Sequence, residues 1–248
     1  MNIFDKIDRY KEAIDKFRPF EGHLLNEIKS YYRIGLTWSS NAIEGNTLTE
    51  SETKVLLEDG LTVGGKPLKD TLEALSHAQA YDFMFSLLGS RRITEDDALT
   101  MHRMFYKDIN PEAAGRYRTD PVIITGSQYA VCKVEQIENE MKKLFQWAAS
   151  ERDKYHPVEF AAQLHKRFVF IHPFIDGNGR ISRLLMNTAL IQSCYLLAII
   201  PPVLRHDYIS LLELAHKDDR PFIDFIAERV LETEKDIMRL LHIPLPEL

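Results

Sequence analysis

Apolar side chains recur at three- and four-residue intervals along nearly all of the 248 residues, and that spacing restricts the chain to a mainly α-helical fold. One stripe runs through Ile7–Phe17. A second, over Leu24–Trp38, carries Leu25, Ile28, Tyr32 and Leu36. Thr49 and Glu52 make a capping box, which predicts a helix from about Glu50 to Glu58. Gly60, Gly64 and Gly65-Lys66-Pro67 form a loop, and a longer helix then reaches Leu88 before Gly89. Thr94 caps the next helix, with Glu95, Asp96 and Asp97 in its first turn. Later helices are predicted at about 134–150, at 156–171 with Pro157 in the first position, from near 180 to about 194, at 207–216 and at 221–241. The one β signal is Pro121-Val122-Ile123-Ile124-Thr125 and Tyr129-Ala130-Val131 around Gly126-Ser127-Gln128, which predicts a small hairpin. The prediction is a single helical domain with a β-hairpin.

Charge narrows the function classes. The net charge is −6, so no global positive field holds DNA or RNA. Cys132 and Cys194 have no zinc or CxxC spacing and read as buried thiols in a reducing compartment. The N-terminus mixes charges early and has no signal-peptide core. The apolar run at Leu196–Ile200 stops at Pro201-Pro202, too short to span a bilayer. The chain reads as cytoplasmic, with neither a nucleic acid nor a membrane as partner.

Residues 172–183 concentrate chemistry: His172-Pro173-Phe174-Ile175-Asp176-Gly177-Asn178-Gly179-Arg180-Ile181-Ser182-Arg183. His172 ends one helix and is a natural general base near neutral pH. Gly177-Asn178-Gly179 let the backbone turn tightly ahead of the next helix, whose free N–H groups attract a phosphate. Asp176 is a hard oxygen ligand suited to Mg²⁺. Arg180 and Arg183, three apart on one helix face, could clamp further phosphates. Phe174 and Ile175 are expected to pack inward. Upstream, a helix should end near Glu44 because Gly45-Asn46 is a stop signal. A carboxylate at that negative dipole end wants a cation.

The 172–183 stretch resembles the Fic family signature HxFx(D/E)GNGRxxR at every fixed position. The likeness extends from Ser39 to about Val230, through Gly115-Arg116-Tyr117-Arg118, His156–Ala162 and Arg220-Pro221-Phe222-Ile223. Ser40-Asn41-Ala42-Ile43-Glu44-Gly45 matches the family's inhibitory pattern (S/T)xxxE(G/N). The chain is thus similar to the adenylyltransferase branch with an N-terminal inhibitory helix, which includes the metazoan endoplasmic-reticulum enzyme and bacterial relatives. That enzyme's membrane anchor and tetratricopeptide repeats are not recognised in these residues, so its substrate is not carried over.

The resemblance implies a Fic fold, with an N-terminal helical region at 1–60 holding the inhibitory helix and a catalytic domain at 61–248. It implies transfer of AMP from ATP to a Ser, Thr or Tyr hydroxyl of a protein, with self-modification possible. By position, His172 would deprotonate the hydroxyl and Asp176 would bind Mg²⁺. Gly177, Asn178 and Gly179 would form an anion hole, Arg180 would reach the β-phosphate and Arg183 the γ-phosphate. Ser40 and Glu44 would restrain Arg183. The hairpin would be the target-docking flap, with Val122, Ile123, Ile124 and Thr125 pairing the target. Tyr208, Leu212 and His216 would line the adenine pocket, with Ala215-His216 replacing a commoner Ala-Asn. Gly179, where a kinase branch has Lys, favours AMP transfer over phosphorylation. De-AMPylation, transfer of another nucleotide or of phosphocholine, and a non-catalytic nucleotide-sensing module stay open. A homodimer through apolar residues of the 70–110 region is an expectation by family analogy. His77, His102 and His165 read as core or surface residues, and Tyr81, Met84, Phe85 and Leu88 as core.

Overall fold

The computed structural model describes residues 2–247. Ten α-helices follow one another: α1 (Ile3–Asp15), α2 (Gly22–Ile43), α3 (Glu50–Lys54), α4 (Leu68–Ser86), α5 (Glu95–Tyr106), α6 (Ile137–Glu151), α7 (Pro157–Ile171), α8 (Asn178–Gln192), α9 (Arg205–Leu214) and α10 (Arg220–Leu240). A π-helical turn over Val55–Asp59 extends α3 to Gly60, whose φ of 68° ends it. The local signals operate as capping chemistry requires. Thr49 accepts from the Glu52 N–H and Thr94 from the Asp97 N–H, each in a reciprocal box. Pro157 occupies the first turn of α7. Boundaries elsewhere differ from the sequence reading by one to three residues, as at α8 and α9.

α8 is the central element. From Arg180 to Ile191 every residue is buried, so it has no solvent face. α2, α4, α5 and α7 pack around it. Its apolar residues Ile181, Leu184, Leu185 and Leu190 join the main core, which also takes Ile7 of α1, Leu36 of α2 and Phe222 of α10. Residues 1–60 therefore share one core with the remainder. Among the described residues no helix is long and apolar enough to cross a membrane.

Three expectations fail. Among the described residues there is no β-strand, and residues 121–131 form an extended loop instead of a hairpin ladder. A two-stranded ribbon alone is marginal in water, and local and tertiary bonds compete for this one. The Ser127 hydroxyl accepts the Tyr129 N–H at 3.1 Å. The Gln128 N–H goes to Glu213 Oε2 of α9 at 3.2 Å. The thiols are not buried either: Cys132 is half-buried and Cys194 exposed. α8 stops two residues before Cys194, which turns away in the left-handed region at φ 62°. Ile175 is exposed as well, while its neighbour Phe174 points inward, stacked on His102 at 3.7 Å.

The α1–α10 contact holds a buried acid. Glu234 is fully buried with no hydrogen-bond partner for either oxygen. Burial, and then Asp8, push its carboxyl up to about 9, against Lys11 and Arg18. The fold therefore keeps this proton through a range in which the unfolded chain has lost it, and stability falls as pH rises from about 4.5 towards 9. Glu234→Gln should remove that slope. In urea denaturation the variant should gain on the parent between pH 5 and 8, by at most about 1.4 kcal/mol per pH unit. A constant difference across the range would refute the assignment.

Candidate active site

Three helix ends converge on one cavity of about 160 Å³, lined among others by Glu44, Ile124, Tyr129, His172, Gly179, Arg183, Tyr208, Leu212 and His216. α7 delivers His172 as its C-cap in the left-handed region, φ 54°. That conformation is uncommon for a residue with a side chain and is held by its surroundings. Arg118 supplies them: its Nε donates to the His172 carbonyl at 2.9 Å and its N–H to the Pro173 carbonyl at 2.9 Å. The same guanidinium holds the carbonyls of Asp120, at 3.0 Å, and Cys132, so it pins both ends of the 121–131 loop. Burial, then Arg118, lower the imidazole pKa of His172, opposed by the Val169 carbonyl and the Glu44 and Asp176 carboxylates. The ring is neutral and able to take a proton near neutral pH.

The turn after His172 is braced from within. The Asn178 side chain accepts the Phe174 N–H at 2.9 Å and donates to the Phe174 carbonyl at 2.8 Å. Its amide is thus a loop clamp, and an anion here meets backbone N–H groups instead. Gly177 has φ 82°, and a Cβ there would lie 3.1 Å from Phe105. No side chain caps the α8 N-terminus, which leaves its first N–H groups for an anion.

Glu44 occupies that mouth. It is the C-cap of α2, where the local dipole disfavours it. Its Oε1 lies 2.7 Å from Arg183 Nη2 and 2.2 Å from where a Cβ on Gly179 would stand. Only glycine admits the carboxylate here. Arg183 is almost wholly buried, and Ser40 takes its Nε through the hydroxyl at 2.9 Å and its Nη2 through the carbonyl at 2.8 Å. Nη1 reaches the Tyr208 hydroxyl at 3.4 Å, which also pairs with His165 Nε2 at 2.8 Å. Burial raises the Glu44 pKa, but Arg183 and then Arg180 outweigh it and hold the carboxyl below its ordinary range.

The two arginines do not act together. Arg180 does not line the cavity. It is buried against Glu73 at 2.7 Å and Asp176 at 2.9 Å, with its guanidinium over Phe105. Asp176 Oδ1 takes Arg180 and the Gly177 N–H, and the carboxylate remains partly exposed. Mg²⁺ typically binds one or two carboxylates plus phosphates and keeps its waters. Among the described residues no group of three or more His, Cys, Asp or Glu gathers as a metal cage. One half-exposed carboxylate beside an anion-seeking helix mouth therefore fits a cation that arrives with phosphate.

Along the opposite wall, His216 is sandwiched between Tyr129 at 3.8 Å and Phe170 at 3.6 Å. Leu212 and the ring of Tyr208 line the cavity beside it. Val122 and Thr125 do not line the cavity, Ile124 does, and Ile123 is 94 % exposed. Sequence reasoning gave no site role to Glu73, Arg118, Tyr129 or Glu213, because the partner that gives each its role (Arg180, His172, His216 and Gln128) lies far along the chain. His102 is a core residue, but with a role: Nδ1 accepts the Gly115 N–H at 2.9 Å and Nε2 meets the Asp176 carbonyl at 3.2 Å.

A family model described as Fic/DOC family matches residues 92–190. Residues 92–190 thus carry a Fic/DOC-family domain. It is similar to the protein adenylyltransferase Fic of Nematostella vectensis, 38 % identical over 234 residues, which cover 91 % of this chain and 53 % of that protein. The protein of the same name from Drosophila melanogaster is 35 % identical over 227 residues, 90 % of this chain and 46 % of that one. The chain thus spans about half the length of the curated relatives it matches. Its fold is similar to that of a solved fragment of Fic-1 from C. elegans, with a TM-score of 0.86 and 29 % identity over 97 % of this chain and 72 % of that one.

The Arg180 ion pair can be tested directly. Glu73→Leu leaves a buried guanidinium with Asp176 as its remaining partner, and should cost about 3 kcal/mol. Thermal unfolding should show a drop of several degrees, and an unchanged midpoint would show that the pair is dispensable.

Proposed function

We propose that this chain is a protein adenylyltransferase that moves AMP from ATP to a Ser, Thr or Tyr hydroxyl of a protein, itself included, and that Glu44 restrains it. The observation that carries the reading is that His172, Gly179, Arg183 and Glu44 line one cavity at the uncapped mouth of α8. The naming of the curated relatives as adenylyltransferases supports it.

His172 takes the proton of the target hydroxyl. The hydroxyl oxygen forms a bond to the α-phosphorus of ATP, the bond from that phosphorus to the bridging oxygen breaks, and pyrophosphate leaves. The backbone N–H groups at Asn178 and Gly179 receive phosphate oxygens, while that of Gly177 stays on Asp176. Asp176 would hold Mg²⁺, which when bound neutralises charge between adjacent phosphates. Arg180 keeps Asp176 oriented from its buried pair with Glu73. Arg183 is the cation for the terminal phosphate, and Glu44 competes for it: while the pair is closed, the triphosphate has neither the charge nor the space it needs. The base rests against Tyr208, Leu212 and His216. Residues 122–125 present backbone to the target.

Incubation with ATP labelled at the α-phosphate, with Mg²⁺, tests this. Glu44→Gly should raise self-labelling at least tenfold, and adding His172→Ala should abolish it. Equal labelling with and without His172 would rule the mechanism out. The lowered His172 pKa predicts that the acid limb of the Glu44→Gly rate profile lies below His's ordinary value of about 6.5. Removing Glu44, which raises that pKa, moves the limb lower still.

A further inference from the structure

A second concavity, of about 470 Å³, adjoins the catalytic one and shares Tyr129, Ile209 and Glu213 with it. Its floor is the outer surface of α9 and its rim is the Gly126–Tyr129 turn. Arg205 and Lys217 supply positive charge, and Ile209 and Leu214, about 40 % exposed, supply apolar surface. Glu213 is the one carboxylate lining it and already accepts the Gln128 N–H. His206 sits beside Asp207 at 3.5 Å. On a chain of net charge −6, the charged residues lining this groove are two cations and one anion, and the groove shares three lining residues with the cavity that a target hydroxyl must reach.

Arg205 has a second attachment. Its Nε donates to the carbonyl of Ile43 at 2.6 Å. Ile43 is the last residue of α2, and Glu44 follows it. A guanidinium on a terminal carbonyl is a favourable helix cap, so the groove and the end of α2 share one cation.

We propose that this groove docks an acidic segment of the target protein, and that its carboxylate draws Arg205 from Ile43 and loosens the helix end that carries Glu44. The inference rests on the reading of the cavity as a site of AMP transfer. Complementary charge gives selectivity and encounter rate at short range and is screened by salt. The two apolar residues hold the chain between its acids. A target that supplies carboxylates next to its hydroxyl would then favour its own modification over that of neutral proteins.

Binding is measured by fluorescence anisotropy, so it does not depend on catalysis. Two fluorescein-labelled 12-residue peptides are used, each with a central Thr and two Leu, one with six Glu and the other with Gln in their place. The His172→Ala chain should bind the Glu peptide at least tenfold more tightly at 50 mM salt, and the preference should shrink at 300 mM. Lys217→Glu should abolish the preference and Lys217→Gln should halve it or more. Lys217 is exposed, and circular dichroism checks the fold of both variants. Equal affinity for the two peptides, or a preference untouched by Lys217→Glu, overturns the groove. The coupling to Glu44 has its own readout. Arg205→Gln should raise self-labelling severalfold when Glu44 is present, and should give no such gain in the Glu44→Gly chain. No change in the first case overturns the coupling. Absence of labelling in Glu44→Gly itself would instead strike the transferase reading and leave peptide binding to judge the groove.

Discussion

The site depends on where one carboxylate stands between two helix ends. Glu44 caps α2 at its C-terminus, the end that repels an anion, and lies at the N-terminal mouth of α8, the end that attracts one. Arg183 decides the balance at 2.7 Å. A guanidinium this deeply buried requires satisfied N–H groups, and Ser40, Glu44 and Tyr208 provide for most of them. The α2–α8 contact is therefore polar where it matters. Thr37, Ser39, Ser40 and Asn41 of α2 are all buried, and Thr37 meets His77 of α4 at 3.1 Å. Burial drives His77 down to about 3, so it enters this interior neutral and adds no charge to compete with Arg183. An interface of directional bonds adheres less by area than an apolar one, and it can be exchanged bond for bond. A phosphate presents oxygen acceptors as a carboxylate does, so the proposed competition between Glu44 and an anion at α8 needs no change in the donors.

Around that pair the fold separates rigid from adaptable parts. The 172–178 turn is locked by Asn178, by the Phe174–His102 stack and by Arg118. The 121–131 loop is held at its base by Arg118 and near its tip by Tyr129 stacked on His216 and by Gln128 bonded to Glu213 of α9. Its backbone, free of a ladder, keeps donors and acceptors of the kind the proposed target docking requires. α9 thus touches the base wall of the cavity, the loop tip and, through Arg205, the end of α2.

Much of the helical order was legible in the chain because capping boxes, Pro157 and the apolar stripes act within a few residues. The loop at 172–183 was legible for the same reason: its glycines, acid and imidazole carry their chemistry in sequence order. The 121–131 segment misled because alternation reports a wish to be extended and cannot report whether a partner strand exists. Ser127 and Glu213 took its hydrogen bonds. Arg180 and Arg183 share spacing on a helix, yet a buried helix has different neighbours on each side, and Glu73 claimed one while Glu44 claimed the other.

By itself, the sequence determined a helical chain, a base, an acid and a glycine turn in fixed order, and a glutamate at a helix stop. Only the tertiary structure decided which arginine meets that glutamate, which is spent on internal support, and how closely Gly179 lets the carboxylate approach. Those outcomes turn on contacts between residues more than one hundred positions apart, and on distances of a few tenths of an ångström that no local pattern encodes.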